Sequence, residues 1–124
     1  MKHYLIDTHI LLWWLSNDRK LDKKTAALIQ DPDNTIFVSV VSVWEINIKK
    51  SLNKLVAPDN LKEELFENSL EILPITLDHV LYVEHLPLIH NDPFDRLLIA
   101  QCKVEGFTFV TEDHHISQYN LDLF

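Results

Sequence analysis

Four short runs rich in β-branched and aromatic residues punctuate the chain: "HYLI" (3–6), "TIFVSVV" (35–41), "EILPI" (71–75) and "FTFVT" (107–111). None alternates cleanly between apolar and polar positions. A strand wetted on one face alternates, whereas a strand covered on both faces is apolar throughout, so these runs belong to a sheet held between two layers. Parallel neighbours cannot be joined by a hairpin and need a long crossover between them. The intervening segments supply it, because they read as helices. The predicted fold is therefore α/β: a three-layer α/β/α arrangement around a central, mostly parallel sheet of four to five strands, in one domain spanning 1–124. The tail "YNLDLF" is the candidate for the fifth strand.

Helices are predicted over 8–15, 22–30, 43–52, 60–69, 77–86 and 93–105, with the turn "DPDN" (31–34) stopping the second. Ser42 followed by Glu45 reads as a capping box for the third. In "HNDPFDRLLIAQ" (90–101), Asp92 fits the N-cap, Pro93 the first helical position and Asp95 an acid at N3, near the positive end of the helix dipole. Leu97, Leu98 and Ile99 would anchor that helix in the core, and Gly106 would close it.

Composition narrows the function classes. Nucleic acid is commonly held by a broad basic surface, but here 11 basic side chains face 19 acidic ones, a net charge of −8. That excess suits an acidic site that gathers cations, a partner with a basic segment, or simply a soluble surface. A single glycine excludes both the G-x-G-x-x-G dinucleotide loop and the G-x-x-x-x-G-K-[ST] phosphate loop. A single cysteine, Cys102, excludes an internal disulfide and reads as a buried thiol. "KHYLI" opens directly into a strand, so no signal peptide is expected, and "ILLWWL" (10–15) is far short of a membrane span. A reducing, cytoplasmic setting is the expectation.

In a parallel sheet, ligands bind beyond the carboxyl ends of the strands. Asp7 is the first residue past the first strand, Glu45 stands early in the helix after the second, and Asp113 lies just past "FTFVT". Asp95 opens a helix that runs back toward that last strand, so its N-terminus sits at the same edge. Each acid also has a local structural explanation: a helix cap for Asp7, a first-turn acid for Glu45 and Asp95, a turn for Asp113. Together they place four carboxylates on one rim. Crowded carboxylates repel one another and need protons or a cation. An oxygen-only donor set suits Mg2+ or Mn2+. The seven histidines offer no zinc spacing; His114 and His115 are adjacent, and His90 reads as a loop residue or a neighbour of the site. A metal held by such a rim is one known solution to phosphodiester hydrolysis.

With these residues placed, the chain resembles the PIN-domain family, and in particular the VapC-type ribonuclease toxins of prokaryotic toxin–antitoxin pairs. The likeness runs through "YLIDTHILLWWL", "VSVVSVWEINIKK", "HNDPFDRLLIAQ" and "FVTEDHHISQYNL", nearly the whole length. On this resemblance, Asp7 in "LIDTH", Glu45 in "VSVWEI", Asp95 in "DPFDRLLIA" and Asp113 in "VTEDHH" match the family's four acids. The resemblance implies a Mg2+- or Mn2+-dependent endoribonuclease, a homodimer, RNA as substrate, and a small antitoxin protein as partner. Two positions depart from the pattern. Asn91 stands where related chains usually carry arginine, and Asn53 in "KKSLNKL" where they often carry glycine. Asparagine tolerates left-handed backbone, so the second change is mild; the first removes a cation beside the site.

Thr111, at a strand end, could orient a ligand or water near Asp113 or serve structure alone. Trp13, Trp14 and Trp44 read as core or interface residues, and adjacent Trp13 and Trp14 cannot both face inward from one helix. Two other function classes compete. One is a phosphotransfer-like α/β domain with an acidic Mg2+ pocket at Asp7, which lacks an obvious lysine after "FTFVT". The other is a non-catalytic PIN-like protein-binding module.

Overall fold

The computed structural model describes residues 2–89 and 91–124, with backbone alone at 114, 115 and 117. The readings of His90 as a loop or site neighbour, and of the His114 and His115 side chains as poor joint ligands, lie outside what is described.

The elements run β1 (Lys2–Ile6), α1 (Thr8–Ser16), α2 (Lys23–Gln30), β2 (Asn34–Ser39), α3 (Val40–Ser51), α4 (Leu61–Glu67), β3 (Glu71–Leu73), α5 (Leu77–Tyr82), α6 (Pro93–Glu105) and β4 (Thr108–Val110). Short 3-10 turns follow α5 at Val83–His85 and β4 at His114–Tyr119. The four strands form one sheet in the order β3-β2-β1-β4, every pair parallel. Ile6 at the end of β1 stands opposite Val38 and Val110.

The three-layer prediction holds, and the central strand shows why. Tyr4 and Ile6 belong to one core cluster, with Ile10 and Leu11 of α1 and Leu28 and Ile29 of α2. Leu5 between them belongs to the other, with Leu98, Ile99, Ala100 and Cys102 of α6. Successive side chains of a strand point to opposite faces, so a strand apolar at every position must be covered twice. Leu5, Ile6, Leu98, Ile99 and Phe109 are wholly inaccessible to solvent. Burying side chains of this kind contributes about 1.5–3 kcal/mol each.

Several boundaries differ from the sequence reading. The second strand ends at Ser39 rather than 41, and Ser39, not Ser42, is the N-cap of α3: its hydroxyl accepts from the Val41 N–H at 3.0 Å. Val40 and Val41 are helical despite their β-branching, since packing overrides such weak preferences. The Ser42–Glu45 capping box therefore does not form. The third strand stops at Leu73 because Pro74 cannot donate to the ladder. The fifth helix breaks into α5 and a 3-10 turn, and Pro87 forces Leu86 into extended backbone (φ −79°, ψ 142°). The tail forms no fifth strand; a single bridge pairs Leu123 with Phe109. By contrast, Asp92, Pro93 and Gly106 bound α6 as expected, Gly106 with φ +72°, and Asn53 takes the left-handed angle anticipated for it (φ +56°). Among the described residues no helix is long and apolar enough to cross a membrane.

Candidate active site

The carboxyl edge of the sheet is where β1, β2 and β4 end side by side, and β1 and β4 each hand a polar residue to the same rim. Asp7 follows β1 and caps α1, its Oδ1 accepting from the Ile10 N–H at 2.9 Å. Its Oδ2 accepts from the Thr111 hydroxyl at 2.5 Å. The carboxyl is buried, and burial pushes its pKa above the ordinary carboxylate value against the opposing pull of these two hydrogen bonds and of His9; Glu45 pushes the same way as burial. Thr111 also accepts from the Asp113 N–H at 3.0 Å. One hydroxyl thus joins the end of β1 to the loop after β4.

Glu45 lies in the second turn of α3, because the helix starts earlier than its sequence suggests, and its side chain is 4% exposed. The Thr8 hydroxyl donates to Oε1 at 2.6 Å, and the Lys49 ammonium lies 2.6 Å from Oε2. Ser42 Oγ lies 3.0 Å from the Thr8 hydroxyl. α1 and α3 are therefore tied together at the carboxylate itself.

Asp95 occupies N3 of α6. Asp92 caps this helix, accepting from the Phe94 N–H at 2.9 Å and the Asp95 N–H at 3.2 Å. The Asp95 carboxyl is pushed up to about 7, first by burial and then by the negative charges of Asp92, Glu45, Asp7 and Asp113. The four acids predicted from the sequence thus share one electrostatic neighbourhood. Among the described residues, however, no three His, Cys, Asp or Glu side chains form a ready metal cage. What fits a hard divalent cation is the donor chemistry: carboxylate oxygens whose crowding already disfavours ionisation at Asp95, with an ammonium drawn in beside Glu45.

Three residues at the rim or behind it escaped the sequence reading. Thr8 was legible only as the neighbour of Asp7. Lys49 stands four residues after Glu45, the spacing at which helix side chains meet. Arg96 is buried, and its guanidinium donates to the carbonyls of Pro87 at 2.8 Å and Val83 at 3.2 Å. It pins the segment leading into α6 rather than facing solvent. Of the tryptophans, Trp44 is 52% exposed and meets Phe94 edge-on, with centroids 5.0 Å apart. Trp13 and Trp14 are both half-buried against the first core cluster, and the Trp14 indole N–H donates to Asn68 at 3.2 Å. Cys102 is a buried free thiol, as expected.

A family model described as PIN domain matches residues 4–121. The chain is also similar to solved structures. For VapBC2 from Rickettsia felis, bound to a DNA fragment from its promoter, the TM-score is 0.73 at 19% identity, covering 98% of this chain and 97% of the other. For DNA-bound VapBC from Salmonella typhimurium it is 0.69 at 14% identity, covering 100% and 98%. For FitAcB from Neisseria gonorrhoeae it is 0.62 at 17% identity, covering 98% and 96%. At these identities the likeness speaks to the fold. No curated protein matches the sequence.

Proposed function

Because the chain belongs to the PIN-domain family, we propose that it is a divalent-metal-dependent endoribonuclease, the toxin of a toxin–antitoxin pair, with Asp7, Glu45, Asp95 and Asp113 as its catalytic acids. The observation that carries this reading is the carboxyl of Asp95, raised to about 7 with Glu45, Asp7 and Asp113 among the causes. Carboxylates drawn from four separate stretches of chain act on one another. Folding brings them together at a cost that a bound cation would offset.

Asp7, Glu45, Asp95 and Asp113 would hold Mg2+ or Mn2+. When bound, such an ion lowers the pKa of a water and neutralises charge on a phosphodiester. The chain's own residues do the rest. Thr111 and the Ile10 N–H fix both oxygens of Asp7, so that acid arrives oriented. Thr8 fixes Oε1 of Glu45. The Asp95 carboxyl, raised by burial and by its neighbours' charges, would be drawn to its carboxylate form by the ion. Similar structures are named as a toxin–antitoxin complex from Klebsiella pneumoniae and as a member of the VapBC family of toxin–antitoxin systems from Mycobacterium tuberculosis, which supports an antitoxin protein as partner; a homodimer and a cytoplasmic setting belong to the same proposal.

The test is cleavage of mixed RNA by the purified chain. Cleavage should require Mg2+ or Mn2+, stop in EDTA, and fall by orders of magnitude in Asp7→Asn and Asp95→Asn. Undiminished cleavage in excess EDTA would remove the mechanism. A second reading, a non-catalytic PIN-like protein-binding module, draws on the missing ready-made cage among the described residues. It is favoured if the folded chain binds an antitoxin but cuts no RNA with either metal.

A further inference from the structure

Lys49 stands one turn beyond Glu45 on α3. Glutamate–lysine pairs at this spacing are common on helix surfaces, where both side chains are solvated. This pair is unequal: the Glu45 side chain is 4% exposed and the Lys49 side chain 34%. A buried carboxylate requires partners for both oxygens. Thr8 serves Oε1, and Oε2 is met by the ammonium at 2.6 Å. The charges acting on that ammonium come from more than its own helix, since Asp92 and Asp95 at the start of α6 also attract it. A tethered cation therefore feels the carboxylates of both α3 and α6.

We propose that Lys49 is a built-in counter-ion of the acidic rim, a positioning residue that holds Glu45 through Oε2 and competes with a divalent cation for that oxygen; this rests on the reading of the rim as a metal site. An ammonium and a divalent ion repel each other, so each weakens the other's hold on a shared oxygen. Lysine suits the exchange: its charge rides on a flexible four-carbon stem, and the side chain is already about a third exposed, so it can swing into water when displaced. The rim then keeps a counter-charge when divalent ions are scarce, and its affinity for them is tempered.

The experiment titrates MnCl2 calorimetrically into the wild-type chain, Lys49→Met, Lys49→Gln and Lys49→Arg, and reads melting temperatures in EDTA and in saturating Mn2+. The two neutral variants should bind Mn2+ about tenfold more tightly, because one unit of cationic repulsion is gone from a partly solvated site. Lys49→Arg, which keeps the charge, should stay within about threefold of wild type. In EDTA the neutral variants should melt below wild type, and in Mn2+ that gap should close. Unchanged Mn2+ affinity, or an equal gap in both conditions, would mean an ordinary structural ion pair and overturns the proposal. Lys49→Gln retains a polar side chain, so poor folding of Lys49→Met leaves the test intact. Failure of the metal reading looks different: wild type, Asp7→Asn and Asp95→Asn would then give the same negligible heat with Mn2+, and the Lys49 proposal falls with it.

Discussion

Asp92 and Asp95 share one helix start, yet their carboxyls meet different surroundings. Asp92 accepts two backbone N–H groups; Asp95, one turn inside, carries the burden of its neighbours and is raised to about 7. The two should fail differently. Asp92→Ala removes a cap and should cost about 0.5–2 kcal/mol of stability in urea, while leaving detectable RNA cleavage. Asp95→Asn should abolish cleavage and, in EDTA at pH 8, raise the melting temperature by several degrees, since in a domain of this size each kcal/mol shifts it by roughly 4 °C. The pH dependence follows from the direction of the shift. The folded protein binds this proton more tightly than the unfolded chain, whose value is near 3.8. The stability it contributes is therefore fully present below about 3.8 and lost as pH rises through about 7. Wild type in EDTA should melt lower at pH 8 than at pH 6, and Asp95→Asn should flatten that difference. If Asp95→Asn melts no higher than wild type at pH 8, the crowding of the rim has been misjudged.

Elements were legible in the sequence where a chemical signal marks both ends. α6 is the clearest case: Asp92 and Pro93 open it, Gly106 closes it, and the reading of 93–105 matched residue for residue. The strands were legible as apolar runs because both faces are buried, and the place of Asp7 because it directly follows β1 and caps α1. The start of α3 was not. Ser39 and Ser42 are both acceptable caps, and only packing at the end of β2 selects Ser39. The orientation of the site was likewise hidden, since Thr111 reaches Asp7 across 104 residues and Thr8 reaches Glu45 across 37. No local pattern encodes such contacts. The C-terminus of α6 offers a test confined to backbone. Gly106 has φ +72°, and a methyl group added there meets no atom within 4 Å. Gly106→Ala should therefore cost roughly 1 kcal/mol, the penalty of left-handed backbone alone, and Gly106→Asn less. A loss of several kcal/mol in urea denaturation would mean that the closure of α6 depends on more than this angle.

At the scale of the molecule, the acid rim and the net charge of −8 bear on how an antitoxin could silence the proposed nuclease. A rim that draws a lysine against Glu45 should also accept a guest cation. An arginine from an antitoxin tail suits it best, because a planar guanidinium grips carboxylates in two-pronged fashion. The tail's apolar residues would find a surface beside the rim, where Trp44 is half exposed against Phe94. Such an inhibitor competes with Mg2+ for the same oxygens, and the ionic part of its affinity weakens in high salt. The apolar part does not, so Asp7→Asn combined with Asp95→Asn should loosen the complex without abolishing it. Titrating the cognate antitoxin calorimetrically against wild type and the double variant, each with and without Mg2+, separates these contributions. Affinity should be highest for wild type without Mg2+, lower with it, and least sensitive to Mg2+ in the double variant. Equal affinities in all four titrations would place the antitoxin's grip away from the rim, and inhibition would then have to act through access to RNA rather than through the carboxylates.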